Sequence, residues 1–255
     1  MVPKMLSVTG NYGKLANNKR LGIIQSRGLG DLVIALPIAG HYRDEGWDIY
    51  WPILDEFVPS MQALAPWVKW IPLPYDAPGR YFYDVALERL KNFKCDEIMP
   101  LYQHLTGHKF NEEKYFQFTS FDRYKYIKAG VPFLKKWDLA QYITRRPLQE
   151  QELKTALGIR DDEAYVVVHL EGSDHKAQWD PQIVPPDWRV IEIKNLPPYL
   201  VGDWLGVIES AEAIVMVDSV YANLVDQLGI GEDRYFIQRS HVGLTPVQGQ
   251  HWYWL

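Results

Sequence analysis

The sequence is poor in cysteine and has no long apolar run. Cys95 is the only cysteine, which excludes an internal disulfide and a thiolate zinc cluster and favours a reducing compartment. The apolar stretch 32–40 is broken by Pro37 and is far shorter than the roughly 20 residues that span a bilayer. Residues 1–20 mix charged and small residues and are not typical of a secretory signal. We therefore predict a cytoplasmic protein without an integral membrane segment.

The chain also lacks the positive charge of a general nucleic-acid binder, because its formal net charge is −5. Charged residues make up 23% of it and hydrophobic residues 47%, a balance that excludes a disordered chain, a collagen repeat and a coiled coil. A local basic face is still compatible with this balance. At 255 residues, the length allows one large domain or two small ones.

Segments of strand character alternate with segments of helical spacing along two stretches of the chain. In the first stretch, the pattern predicts strands at 21–26, 47–53, 68–73 and 96–101, and helices at 31–45, 56–64 and 80–93. In the second, it predicts strands at 164–170, 188–193, 213–217 and 234–238, and helices at 150–157, 203–211 (with Asp203 as N-cap) and after Asp218. Such alternation indicates parallel sheets covered by helices. The predicted fold class is α/β, with two Rossmann-like domains facing a cleft.

The segment 102–146 separates the two stretches and differs from them in composition. It contains nine Lys or Arg residues against four Asp or Glu residues, interleaved with aromatic residues. Pro147 after Arg145 and Arg146 favours a linker at this point. We predict an amino-terminal domain over 1–146, with 102–146 as a basic and aromatic insertion, and a carboxy-terminal domain over 147–255. The tail of the second domain either stays with it or returns to the first.

A glycine-containing turn, Ser-Arg-Gly-Leu-Gly-Asp at 26–31, joins the first predicted strand to the first helix. Gly28 and Gly30 would let the backbone approach a ligand, and a helix start favours negative charge. A dinucleotide fingerprint needs a third glycine where Val33 stands, so two glycines alone are weak evidence. Asp31 could act as a base toward a ligand hydroxyl or could simply cap the helix.

The polar loop 169–179 follows the strand 164–170, at a sheet edge where open α/β sheets bind their ligands. Lys176 is a compact cation suited to a phosphate, and the alternative is a solvated loop without a ligand. His169 and His175 could ligate a metal, but no cysteine or close carboxylate pair completes such a site. No metal is therefore expected.

A third motif, Val-Asp-Ser-Val-Tyr-Ala-Asn at 217–223, leads from a strand into a helix. The backbone N–H groups from Ser219 onward could bind a diphosphate at the helix start. Asp218 would repel a phosphate and is better suited to accept a hydrogen bond from a sugar hydroxyl, or to cap the helix. A cap with no ligand is the alternative.

Together the three motifs resemble the heptosyltransferase-type glycosyltransferases of family 9, which have the GT-B fold. The resemblance rests on Gly30-Asp31 followed by Leu36-Pro37, on Lys176 followed by Trp179, and on Asp218-Ser219. The chain departs from the family pattern at Val220, where the family has glycine, and at Asn223, where it has histidine.

This resemblance implies transfer of a sugar from a nucleotide-diphosphate sugar to an acceptor hydroxyl, with inversion and without a metal or other cofactor. Asp31 would be the general base. The resemblance also implies that Arg27, Gly28 and Gly30 lie on the acceptor side of the site. For donor binding, it implies Ser173, Lys176, Asp218, Ser219, Val220 and Asn223.

The acceptor is left open by the sequence. The segment 102–146 suits an acceptor glycan, a glycolipid or a hydroxylated base in DNA, and simple packing of its lysine and arginine stems is an equal alternative. The short length and this segment also resemble phage glycosyltransferases, for which the compartment would be the host cytoplasm. Two other functions stay open. One is a Rossmann-type nucleotide-cofactor enzyme with Asp55 or Glu56 on a ribose, and the other is a GT-B-like binding protein without activity.

Overall fold

The computed structural model describes residues 19–74, 81–102, 120–172, 176–238, 245 and 252–255. These residues form two parallel sheets covered by helices, which confirms the predicted α/β class. The first sheet contains β1 (Arg20–Ile24), β2 (Asp48–Leu54), β3 (Lys69–Leu73) and β4 (Glu97–Pro100), in the order β3-β2-β1-β4. Helices α1 (Leu29–Asp44), α2 (Val58–Leu64) and α3 (Tyr81–Asn92) connect its strands. Because β1 is central, the turn that follows it lies at the middle of the carboxyl edge of the sheet.

A connecting segment follows the first sheet. Its described part contains helix α4 (Phe121–Ala129) and a 3-10 helix (Phe133–Gln141), and it packs on α1. Lys125, Tyr126 and Lys136 of this segment are buried. These three side chains therefore take part in packing, while other side chains of the segment, such as Ile127 and Leu134, are exposed. Residues 103–119 lie outside the described residues.

The second sheet contains β5 (Tyr165–His169), β6 (Arg189–Glu192), β7 (Ala213–Val217), β8 (Asp233–Ile237) and β9 (Trp252–Trp254), in the order β6-β5-β7-β8-β9. Helix α5 (Pro147–Ala156) precedes it, and α6 (Leu205–Glu209) and α7 (Val220–Leu228) connect its strands. The sequence left the course of the tail open. Its described end forms β9 and pairs with β8, so it stays with the carboxy-terminal half.

Helix α1 lies at the centre of the molecule. Every residue from 32 to 40 is buried, including Pro37, because the helix packs on β2, on the connecting segment and on α7. Tyr126 donates a hydrogen bond to the Ile34 carbonyl at 3.0 Å, in the turn before the proline. Leu205 and Leu224 of the carboxy-terminal half belong to the same apolar core as α1, so the two halves share packed surface.

The sequence prediction of Asp203 as the N-cap of a helix over 203–211 is wrong. A 3-10 helix (Val201–Trp204) occupies the start of that range, and α6 begins after it. The Asp203 carboxylate accepts a hydrogen bond from the backbone N–H of Leu200 at 2.8 Å and is fully buried. Its local partner is therefore the turn before the 3-10 helix rather than the N–H groups of α6.

Candidate functional site

A cavity of about 490 Å³ is lined by both halves of the chain. The amino-terminal half contributes residues 27–31, Leu54, Glu56 and Phe57, and the carboxy-terminal half contributes His169, Glu171, Gly172, residues 218–220 and Asn223. We call this space the central cavity. Eight of the ten residues that the family resemblance assigned to the base, acceptor and donor sites line it: Arg27, Gly28, Gly30, Asp31, Asp218, Ser219, Val220 and Asn223. Of the other two, Ser173 lies outside the described residues, and Lys176 is described but does not line the cavity.

Two helix starts meet at the central cavity. Helix α1 begins beside Gly28 and α7 beside Ser219, and the two helices pack on each other. A Cβ on Gly30 would lie 3.3 Å from Asn223 Nδ2 and 3.5 Å from the backbone nitrogen of Val220, so a glycine here permits the close approach. Each helix start carries N–H groups without intrahelical partners and the positive end of the dipole. This edge of the cavity therefore favours an anionic ligand.

Asp31 lies in the first turn of α1, and its two carboxylate oxygens have different surroundings. Lys125 Nζ is 3.0 Å from Asp31 Oδ1, and Oδ2 lies so close over Gly28 that a Cβ at position 28 would overlap with it. Gly28 also has a φ of +76°, which favours glycine. The Asp31 side chain is 31% exposed, and the N-cap of α1 is Gly28. Asp31 is thus an anchored carboxylate that remains open to the cavity and is not the N-cap of its helix.

The turn that carries Asp31 is tied to the first sheet. Tyr102 accepts hydrogen bonds through its hydroxyl from the backbone N–H groups of Ser26 and Arg27, at 2.8 and 2.7 Å. Burial raises the pKa of Tyr102 to about 12, so the phenol stays protonated at neutral pH. Trp51 donates to the carbonyl of Gln25 at 2.9 Å. Neither Tyr102 nor Lys125 could be assigned to this turn from the sequence, because both come from segments that are distant along the chain.

On the other side of the cavity, His169 and Ser219 form a hydrogen-bonded pair. His169 Nδ1 is 3.0 Å from Ser219 Oγ, and Ser219 is also the N-cap of α7, accepting from the Ala222 N–H at 3.4 Å. Burial lowers the pKa of His169 to about 4, with Glu192 acting in the opposite direction. The imidazole is therefore neutral at pH 7 and can orient the Ser219 hydroxyl. From the sequence, His169 was a candidate metal ligand, and its pairing with Ser219, 50 residues away, has no local sequence signal.

Two further polar side chains, Asp218 and Asn223, line the cavity. Asp218 is largely buried, and Thr245 donates a hydrogen bond to its Oδ2 at 3.5 Å. Asn223 donates through Nδ2 to the Ser219 carbonyl at 2.8 Å, while its Oδ1 is buried without a hydrogen-bond partner among the described residues. An unpaired buried acceptor is costly, so a ligand hydroxyl that reached this oxygen after a turn of the amide would gain a hydrogen bond.

Lys176 lies beside the cavity. It pairs with Glu171 in an isolated antiparallel bridge, so it sits at the stem of the loop whose Glu171 and Gly172 line the cavity. Its side chain is exposed. The pKa of Glu192 is lowered chiefly by a hydrogen bond from Lys194, with a smaller contribution from the charge of Lys176.

Neither a metal centre nor a membrane span is formed by the described part of the chain. No three His, Cys, Asp or Glu side chains in it are grouped to hold an ion. His175, the second histidine of the metal hypothesis, lies outside the described residues. None of the described helices has the length and apolar character needed to cross a bilayer.

The depressed pKa of His169 predicts a specific dependence of stability on pH. The pKa of His169 is about 4 in the folded chain, against an ordinary value of 6.5. As the pH falls from 6.5 to 4, the unfolded chain therefore binds a proton at His169 that the folded chain does not bind. The contribution of this group to stability is fully present above pH 6.5 and is lost across that window. We expect His169→Gln to lose less stability than the wild type between pH 7 and pH 4.5. Urea denaturation at several pH values measures this, and parallel curves for the two proteins would contradict it.

Comparisons with known proteins identify the fold. No protein-family profile matches the sequence, and no curated protein matches it significantly. Solved structures do match. A glycosyl transferase of family 9 from Veillonella parvula has a TM-score of 0.56 at 13% identity, covering 93% of this chain and 86% of its own. At these identities the similarity shows the fold alone, which is that of the family 9 glycosyltransferases.

Two Escherichia coli structures with the same fold are heptosyltransferases. The ADP-heptose lipopolysaccharide heptosyltransferase II matches with a TM-score of 0.55 at 11% identity, covering 93% of this chain and 90% of that one. Heptosyltransferase WaaC, solved with ADP-2-deoxy-2-fluoro heptose, matches with a TM-score of 0.50 at 13% identity and 92% coverage of both chains. The α/β architecture with parallel sheets is therefore shared with structures of the family that the sequence resembles.

Proposed function

We propose that this protein is a glycosyltransferase that moves a sugar from a nucleotide-diphosphate sugar to an acceptor hydroxyl. The observation that carries the proposal is the central cavity, where Asp31 at the start of α1 lies across from the start of α7 in a family 9 fold. In this proposal, the two sheets are the two Rossmann-like domains of a GT-B enzyme and the cavity lies in the cleft between them.

The start of α7 is the proposed diphosphate site. Its backbone N–H groups and the Ser219 hydroxyl, oriented by the neutral His169, would donate to phosphate oxygens. Asp218 would accept a hydrogen bond from a hydroxyl of the donor sugar. The buried Oδ1 of Asn223 would accept another once its amide turns toward the cavity. Lys176, at the stem of the adjacent loop, would add a positive charge near the leaving group.

The proposed chemistry is a single displacement. Asp31 accepts the proton of the acceptor hydroxyl as that oxygen bonds to the anomeric carbon. The bond between the anomeric carbon and the diphosphate oxygen breaks, and its electron pair leaves with the nucleoside diphosphate, stabilised by the helix start and by Lys176. One displacement inverts the anomeric configuration. No metal takes part in the proposal.

Charge favours a glycan hydroxyl over DNA as the acceptor. On the amino-terminal side of the cavity, where the acceptor would lie, Asp31 and Glu56 stand against Arg27, and this charge suits a neutral hydroxyl better than a polyanion. The buried lysines of the connecting segment are held in internal ion pairs and cannot serve as a surface for DNA phosphates. The dinucleotide alternative is not favoured, since Val33 at the third glycine position is fully buried in the core.

A panel of nucleotides and nucleotide sugars, read by thermal shift and calorimetry, tests the proposed function. ADP and ADP-sugars are the first probes, because a matched structure was solved with an ADP-sugar analogue, and NAD is the probe for the cofactor alternative. Binding of a nucleoside diphosphate with turnover of its sugar supports the proposal. Binding without turnover would favour the inactive binding protein, and binding of NAD alone would refute the proposal.

The variant Lys176→Ala tests whether Lys176 contributes to the proposed diphosphate site. We expect it to weaken binding of the nucleoside diphosphate by about 10-fold, the scale of one charged hydrogen bond. Binding of the corresponding nucleoside, which has no phosphate, should not change. Lys154→Ala, on the distant α5, is the control for loss of a lysine from the surface. An unchanged dissociation constant for the diphosphate would remove Lys176 from the site.

A further inference from the structure

A buried lysine lies behind Asp31. Lys125 belongs to α4, outside both sheets, and its side chain is only 3% exposed. Its Nζ is 3.0 Å from Asp31 Oδ1 and 2.6 Å from Gln25 Oε1. A buried ammonium group is costly unless it is paired, and an apolar side chain would fill the same space without that cost. The reason for a charged side chain at position 125 must therefore lie in the groups that Lys125 contacts.

The ammonium group is held in place by the end of β1. Gln25 donates through Nε2 to the Arg27 carbonyl at 2.9 Å, which turns its Oε1 toward Lys125. The Gln25 carbonyl accepts from Trp51 at 2.9 Å, so the glutamine is tied to β2 as well. Lys125 is thus anchored to the central strand of the sheet on one side and contacts Asp31 on the other.

The contact leaves one carboxylate oxygen available. Oδ1 of Asp31 is paired with Lys125, while Oδ2 lies over Gly28, a cavity-lining residue without a side chain. The Asp31 side chain is 31% exposed, so without the Lys125 contact its carboxylate could rotate toward solvent.

We propose that Lys125 is a positioning residue that holds the Asp31 carboxylate in the orientation needed to accept the proton of the acceptor hydroxyl. This role rests on the proposed function, because it matters only if Asp31 is the base. Loss of the ammonium group would leave the donor site at α7 intact and would let the carboxylate rotate, and displacement of a reacting group by about 1 Å is enough to reduce a rate by about 100-fold.

The test compares Lys125→Met with Lys125→Arg. We expect Lys125→Met to lower kcat by about 10- to 100-fold, with the KM for the nucleotide sugar and the Kd for its nucleoside diphosphate unchanged. Lys125→Arg, which keeps the charge, should recover much of the loss. Lys135→Met, an exposed lysine on the following 3-10 helix, is the control and should retain full activity. Equal kcat values for Lys125→Met and the wild type would overturn the proposal.

A double-mutant cycle with Asp31→Asn distinguishes a failure of the positioning role of Lys125 from a failure of Asp31 as the base. If Lys125 acts through Asp31, Lys125→Met lowers the residual rate of Asp31→Asn no further. A full additional loss in that background would show that Lys125 acts elsewhere. Full activity of Asp31→Asn would refute the role of Asp31 as the base. If Asp31→Asn is inactive and Lys125→Met is fully active, only the positioning role of Lys125 is refuted. If Lys125→Met does not fold, Lys125→Gln removes the charge while keeping a polar group beside Gln25, and the same outcomes apply.

Discussion

Asp31→Asn is expected to reduce sugar transfer by about 10²–10⁴-fold, the usual contribution of a general base, without changing the Kd for the nucleoside diphosphate. The side chain keeps its size and can still contact Lys125, but an amide cannot take the proton of the acceptor hydroxyl. The donor groups are unaffected, because they lie on α7 and on the loop after β5. Steady-state kinetics and calorimetry on the same protein preparation measure the two quantities.

Asp55→Asn is the matched control for this prediction. Asp55 lies beside the cavity-lining Glu56 and accepts a hydrogen bond from its backbone N–H at 2.9 Å, a role that asparagine can also fill. It should retain wild-type activity. Asp31→Ala should be as inactive as Asp31→Asn. A parallel loss of diphosphate affinity in either Asp31 variant would assign the residue to donor binding and contradict its role as the base.

Lys136→Met is expected to lower the free energy of unfolding by roughly 3–5 kcal/mol, the cost of breaking a buried ion pair from one side. Lys136 Nζ lies 2.9 Å from Asp122 Oδ2 and 3.5 Å from Asp226 Oδ2, and all three side chains are fully buried. Trp252 also donates to Asp226 Oδ1 at 3.0 Å. Methionine fills the space of the lysine stem but leaves two carboxylates without their cation. Urea denaturation of the wild type and the variant measures the difference.

Two further variants make this second prediction specific. Lys135→Met removes the neighbouring lysine, which is solvent-exposed, and should leave the unfolding midpoint unchanged. Combining Lys136→Met with Asp122→Asn and Asp226→Asn should recover part of the lost stability, because the buried negative charges are removed together with their partner. A loss below about 1 kcal/mol for Lys136→Met, in the range of exposed ion pairs, would show that the cluster is hydrated.

The strands and the cavity turns could be predicted from the sequence because their signals are local. Runs of β-branched residues, such as those of β5 and β7, indicate buried parallel strands whatever lies around them. The Gly28–Gly30 turn and the Asp218-Ser219 turn follow such strands, and the carboxyl ends of parallel strands are where α/β folds place their ligands. Asp203 was assigned wrongly because a short 3-10 turn and a helix start carry the same sequence signal.

The connecting segment could not be interpreted from its composition. A stretch rich in lysine and aromatic residues is typical both of a ligand-binding face and of a helix with solvated charges. The structure instead buries Lys125 and Lys136. Lys125 pairs with Asp31 of α1, and Lys136 pairs both with Asp122 of its own segment and with Asp226 of α7, 90 residues further along the chain. No periodicity within the segment contains that information.

The sequence by itself determined the α/β class, the order of the elements and most of the residues at the central cavity, since each of these depends on neighbours within one strand or turn. Only the tertiary structure decided that the buried Lys125 pairs with Asp31 and that the buried Lys136 connects α4 with α7. It also decided that Lys176 lies beside the cavity. Ion pairs form wherever folding places opposite charges together in a medium of low dielectric constant, and that placement depends on the packing of the entire chain.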